Sequence, residues 1–228
     1  ARNIDLKRKF ISNQEGAIKH RSRTEQSLAT DYIMTSVPLP LQAMSRWILS
    51  ILPGNQKKTL LTMFFTKEKL FLAFLMNRCT KGAVRLVFDR LEKRMGTYEF
   101  TSVFEYILTD RGSEFGDPDA LETGVNGIQR SSIYYCDPMQ SGRSGLEQAH
   151  TMLRMILPKG TSFEFLTQWD VNLIVNHINS TPRESLGGRT PYSVALEALG
   201  EEVLNAFQLR PIAPDEVNLT PKLIRFNH

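Results

Sequence analysis

The stretch Tyr106-Ile-Leu-Thr-Asp110-Arg-Gly-Ser-Glu-Phe115 decides the fold class of this chain. A short apolar run ending in Thr-Asp-Arg-Gly reads as a buried strand with Asp110 at its carboxyl end, and Gly112 as the place where the backbone turns away. A carboxylate so placed can bind a hard cation, because Mg²⁺ is held by one or two carboxylates per ion together with waters and phosphate oxygens. A second acid, Glu147, follows after 36 intervening residues. It falls in a segment over about residues 145–157 in which Leu146, Ala149, Leu153 and Ile156 recur at helical spacing. Glu147, His150 and Arg154 then share a different face of that helix, at i, i+3 and i+7.

Working outward, residues 46–52, 60–66 and 70–76 read as three strands joined by a Pro53-Gly54-Asn55-Gln56 turn and a charged Lys67-Glu68-Lys69 turn. Ala83, Val84, Val87, Phe88, Leu91 and Met95 then keep a helical period, which predicts a helix crossing back over the sheet. The Asp110 strand is the fourth, and residues 131–136 are the fifth, after a loop holding Gly116, Pro118, Gly124, Asn126 and Gly127. Further helices are expected over about 166–179 and from Pro191, which follows the cap residue Thr190. The order is βββαββ followed by helices, an α/β class. Residues 1–44 read as a basic arm and proline-containing connector, 45–200 as the core and 201–228 as a C-terminal extension.

Composition is that of a globular domain, with 41% hydrophobic and 23% charged residues. No run approaches the roughly 20 apolar residues that span a bilayer, and no signal peptide precedes the basic start, so no membrane role and a cytoplasmic location are expected. Cys79 and Cys136 have neither a zinc spacing nor a disulfide framework and are expected to be reduced and partly buried. The net charge of +4 is unevenly placed: residues 1–23 carry Arg2, Lys7, Arg8, Lys9, Lys19, Arg21 and Arg23 against Asp5 and Glu15. Such an arm suits phosphate contacts that position a protein on duplex DNA without reading its sequence, and it equally suits a solvated linker.

Four segments carry a family resemblance: Thr109-Asp-Arg-Gly-Ser-Glu-Phe115, Tyr134-Tyr-Cys-Asp-Pro138, Gly145-Leu-Glu147 with Leu157-Pro-Lys-Gly160, and Asn176-His-Ile-Asn-Ser-Thr-Pro-Arg183 leading to Gly188-Arg-Thr-Pro191. In this order they resemble the catalytic core of DDE transposases and retroviral-type integrases, most closely the insertion-sequence thirty family. The resemblance implies a ribonuclease-H-like core with a mixed five-stranded sheet flanked by helices. It implies double-stranded DNA as partner, a homo-oligomer on that DNA, and Mg²⁺ or Mn²⁺ as cofactor. Asp110 matches the second acid of the family and Glu147 the third.

The first acid is missing. Its position on the first strand is occupied by Ser50, in Trp47-Ile-Leu-Ser50-Ile-Leu-Pro-Gly54, and no Asp or Glu lies between Asp31 and Glu68. A serine hydroxyl is a neutral, weak Mg²⁺ ligand, so the expected site of Ser50, Asp110 and Glu147 is one negative charge short. Asp31 lies before the connector and is a poor substitute. Glu114 is nearer in sequence to Asp110, but reads as well as a solvated loop or cap carboxylate. His150, Arg154 and Lys159, with Lys7, Arg8 and Lys9 of the arm, are candidate DNA contacts. Lys159 is explained equally by a helix end. Asn179, Pro182 and Arg183 are explained at least as well by packing as by catalysis. Three functions are open: an impaired transposase core, a DNA-binding or assembly module that has lost cleavage, and a nuclease acting on RNA–DNA hybrids.

Overall fold

The computed structural model describes residues 47–109, 112–135 and 144–224. Strands β1 (Trp47–Pro53), β2 (Thr59–Phe65) and β3 (Leu70–Met76) form an antiparallel meander. β4 (Tyr106–Thr109) and β5 (Ser132–Tyr135) extend it in parallel to β1, and the sheet order is β3-β2-β1-β4-β5. The first and fourth strands are therefore neighbours. β2 is buried at every position, and its sequence Thr-Leu-Leu-Thr-Met-Phe-Phe is accordingly apolar except for Thr59 and Thr62.

Helix α1 (Lys81–Met95) starts where Thr80 accepts a hydrogen bond from the Ala83 amide, and it buries Val84, Val87, Phe88 and Leu91. Helix α2 (Thr97–Val103) follows and buries Phe100 and Val103. On this side of the sheet Trp47 stacks on Phe65 and Phe104 at 4.8 and 4.9 Å, and its indole N–H donates to the Val103 carbonyl at 3.0 Å. Helices α4 (Ser144–Ile156) and α5 (Gln168–Asn179) come later in the chain, followed by α6 (Pro191–Leu199) and α7 (Glu201–Ala206). The C-terminal extension contributes to the same core, since Phe207 meets Trp47 and Phe104 edge-on and Leu209 and Ile224 are buried.

An edge strand with open peptide groups is a hazard that proteins cover. Here α5 covers β3. Asn179 is fully buried, accepts from the Phe71 amide at 2.9 Å and donates to its carbonyl at 2.7 Å. One end of the helix away, Gln168 accepts from the Leu75 amide and donates to the Ala73 carbonyl. The two amide side chains thus act as a substitute for a further strand.

Two short helices lie where only loop is expected from sequence: α2, and α3 (Pro118–Glu122), which Asp117 caps by accepting from the Ala120 amide. The loop from α3 to β5 is organised by Arg130, whose side chain is fully buried. It donates to Asp89 at 2.7 Å, to Glu92 at 2.9 Å and to the Leu121 and Ala120 carbonyls, with Phe88 and Phe100 within 6 Å of its guanidinium.

Candidate active site at the β1 and β4 ends

Ser50 sits on β1 directly opposite Thr62 of β2, and Thr62 is opposite Ala73 of β3, so the three side chains share one face. Helix α4 crosses that face. Its first turn passes so close to β2 that a Cβ on Gly145 would lie 2.5 Å from the Phe64 ring. The stripe Leu146, Ala149, Leu153 and Ile156 is buried, in agreement with the helical period read from sequence.

Further along, His150 Nε2 lies 2.9 Å from the Thr62 hydroxyl, which itself donates to the Ser50 carbonyl at 3.0 Å. A hydroxyl carries one hydrogen and a carbonyl only accepts, so both contacts are made together when His150 carries hydrogen on Nε2. The His150 ring stands edge-on to Phe71 with centroids 6.0 Å apart. His150 is thus tied to the strand beside Ser50. Glu147, one turn earlier on α4, is exposed, and Arg154, one turn later, is half-buried.

β4 ends at Thr109, and its register with β1 pairs Trp47 with Ile107 and Ile48 with Leu108. Asp110 and Arg111 lie outside the described residues, as do Lys7, Arg8 and Lys9, Asp31, Cys136 and Asp137. Just beyond, Gly112 has φ −56 and ψ 145, backbone that any residue adopts. The turning role read for this glycine is therefore not needed; a Cβ there would instead meet the Glu114 carboxylate at 2.5 Å. Ser113–Phe115 forms a single 3₁₀ turn, and Tyr135 of β5 fastens it by donating its hydroxyl to the Phe115 carbonyl at 2.6 Å. Burial first, and then the charge of Glu122, pushes the Tyr134 and Tyr135 phenols up.

The β1–β2 hairpin, at the end of the sheet to which β1 and β4 run, is pinned by the α4–α5 connection. Glu164 accepts from the Lys57 and Lys58 amides at 3.0 Å each, and the Lys58 ammonium donates to the Glu164 and Leu166 carbonyls. These amides, the Lys58 amide above all, hold the Glu164 carboxyl below its usual range. Lys159 lies exposed in the turn after α4. Cys79 is a free thiol but is exposed, against the partial burial expected, because it falls in the exposed link between β3 and α1.

Arg183 and Asn179 are structural. Arg183 is buried, contacts the Met152 sulfur at 2.7 Å and donates to the Ile178 carbonyl, which ties the segment after α5 to α4. Sequence reasoning missed Arg130, which lies in a stretch without period two residues before β5. Among the described residues no group of three His, Cys, Asp or Glu could hold a metal ion. No described helix is long and apolar enough to cross a membrane.

No protein-family model matches the chain. It is similar to three curated transposases: that of insertion sequence element IS1086 from Cupriavidus metallidurans, 32% identical over 91 residues and covering 40% of this chain and 26% of the relative; that of IS4351 from Bacteroides fragilis, 30% over 86 residues, 37% and 25%; and InsI of IS30A from Escherichia coli, 30% over 88 residues, 37% and 21%. The matched region spans about a quarter of the length of these relatives. Among solved structures it resembles the catalytic core domain of BIV integrase, with 20% identity, a TM-score of 0.49, and coverage of 67% of this chain and 93% of that one. Over about 90 residues the chain is thus similar to insertion-sequence transposases, and its sheet is a mixed five-stranded sheet flanked by helices.

Proposed function

We propose that this chain is the core region of a transposase acting on double-stranded DNA, with phosphodiester hydrolysis and strand transfer impaired by Ser50. The observation that carries this reading is the similarity to three insertion-sequence transposases, combined with a serine on β1 where the resemblance calls for an acid. Asp110 and Glu147 would hold Mg²⁺ or Mn²⁺. When bound, such ions supply Lewis-acid activation of the attacking oxygen and stabilisation of the leaving one. With Ser50 the donor set fits one ion better than two, since only two carboxylates face charges that three would offset.

The residues of this chain have separable parts in that reading. Ser50 lies on β1, whose neighbour β4 ends one residue before Asp110 in sequence, and Glu147 lies on α4. Arg154 and Lys159 offer positive charge to the DNA backbone, together with the Lys7-Arg8-Lys9 arm. His150, held by Thr62, is a positioning residue for α4 as well as a candidate DNA contact. Assembly into a homo-oligomer on DNA belongs to the same proposal.

The second reading is a DNA-binding or assembly module without cleavage, and Ser50 favours it. Incubating the chain with duplex DNA ends and with RNA–DNA hybrids, in Mg²⁺ and in Mn²⁺, separates the readings. An impaired transposase nicks or joins duplex DNA slowly, and Asp110→Asn and Glu147→Gln abolish that activity. Binding without any cleavage supports the module, and preferential cutting of hybrids supports a hybrid nuclease. Robust duplex cleavage that survives Asp110→Asn overturns the site.

A further inference from the structure

A shallow cleft opens beside the β3 edge, lined by Phe74, Leu75, Val87 and Leu91. Its rim carries Arg90 and Arg94 from α1, Gln168 and Asn172 from α5, and Gln208. The rim amides form a chain: Gln168 donates to Asn172 at 2.8 Å, and Asn172 donates to Gln208 at 2.8 Å. Gln208 stands at φ +61, a left-handed conformation that costs a non-glycine residue about 1 kcal/mol and is usually filled by glycine after a helix. Its side chain is what that backbone position delivers to the rim.

The arginines are the unusual part. Neither Arg90 nor Arg94 forms an ion pair among the described residues, although α1 also carries two acids. Asp89 and Glu92 are both taken by the buried Arg130, and Asp89 also by Arg85. On α5 the first-turn acid Asp170 is occupied in the helix cap, where it accepts from the Thr167 amide and hydroxyl. The ion pairs therefore offset the two acids of α1 and leave Arg90, Lys93 and Arg94, at i, i+3 and i+4, as an exposed cationic edge, with one Arg94 nitrogen donating at 3.5 Å to the Ala206 carbonyl.

We propose that this cleft binds the phosphodiester backbone of DNA, as a second contact surface beside the β3 edge. Two guanidinium groups set one helical turn apart suit phosphate oxygens, and Asn172 and Gln208, whose amide nitrogens keep hydrogens beyond those of the rim chain, add donors without adding repulsion. The contact is made to phosphate oxygens, which carry no sequence information. The inference rests on the proposed DNA-acting role.

The test measures binding of a labelled 30-base-pair duplex to the full chain over a range of salt concentrations. Its variants are Arg90→Gln/Arg94→Gln, Arg90→Lys/Arg94→Lys and, as a control on the same helix, Arg85→Gln. Losing two phosphate contacts lowers the slope of log K against log salt by about 1.8, at about 0.9 per contact. The glutamine pair should show that fall, while the lysine pair and Arg85→Gln keep the wild-type slope. An unchanged slope in the glutamine pair overturns the cleft and leaves the DNA-acting role standing. Equal losses in the glutamine and lysine pairs also overturn it, because the effect is then structural. An unchanged slope accompanied by altered oligomer mass identifies a second copy of the chain as the occupant instead. Absence of duplex binding by the wild type overturns the DNA-acting role itself.

Discussion

Thr62 and His150 meet at 2.9 Å between hydroxyl and Nε2, and through that contact helix α4 is fixed on the strand that pairs with Ser50. Thr62 is fully buried and its hydroxyl serves two partners. Thr62→Val keeps the shape and removes both bonds, leaving a ring nitrogen without its acceptor. A loss of about 1–3 kcal/mol in denaturant-measured stability is expected. A variant as stable as wild type would show that α4 is held by its apolar stripe alone.

Arg130 and Glu92 form the most buried ion pair of the described residues, with side chains 0% and 1% exposed. Arg130→Met strands Glu92 in the core and should cost about 3–5 kcal/mol. Replacing both residues with methionine should cost less than the single change, because the uncompensated charge is gone. Chemical denaturation of the two variants makes the comparison.

Asn179 and Phe71 give a prediction about the sheet edge. Asn179→Ala leaves the Phe71 amide and carbonyl unpaired, at about 1–3 kcal/mol for each buried group. Hydrogen exchange at the Phe71 amide should accelerate beyond what the global loss of stability explains. Exchange unchanged relative to global stability would mean that another group covers the edge.

His177 links stability to pH. Burial holds its imidazole below the ordinary value of 6.5, against a smaller upward pull from Glu216, and its Nδ1 accepts from the Asn218 amide at 3.1 Å. The unfolded chain gains this proton first as the medium is acidified. The contribution is therefore fully present above about 6.5 and is lost as pH falls through that value towards the lower folded pKa. His177→Gln should flatten that part of the melting-temperature profile; a profile identical to wild type would assign the acid loss to other groups.

Much of this architecture was legible in the sequence. β3 and β4 have the bounds that the apolar runs give, and the α4 stripe follows from a period of 3.6, because each segment buries one continuous face. The short helices α2 and α3 were not read, although Phe100, Val103 and Phe104 keep helical spacing and Asp117-Pro118 is a cap followed by a first-turn proline. Five to seven residues give too little period to separate helix from loop. The Arg130 network escaped because charged residues far apart in sequence meet only after the fold has formed. Ser50 was assigned by resemblance and lies on β1, the neighbour of β4; Asp110 falls outside the described residues.

The central claim is that Ser50 occupies the place of an acid facing Asp110 and Glu147. The direct measurement is the Mg²⁺-dependent change in melting temperature of the wild type, Ser50→Asp and Ser50→Asp/Glu147→Gln. Three carboxylates repel one another without metal, so Ser50→Asp should melt below the wild type in chelator and gain more from Mg²⁺ through binding to the folded state. Removing Glu147 from that variant should cancel the extra gain. Equal Mg²⁺ responses in wild type and Ser50→Asp would contradict the claim and remove Ser50 from the site.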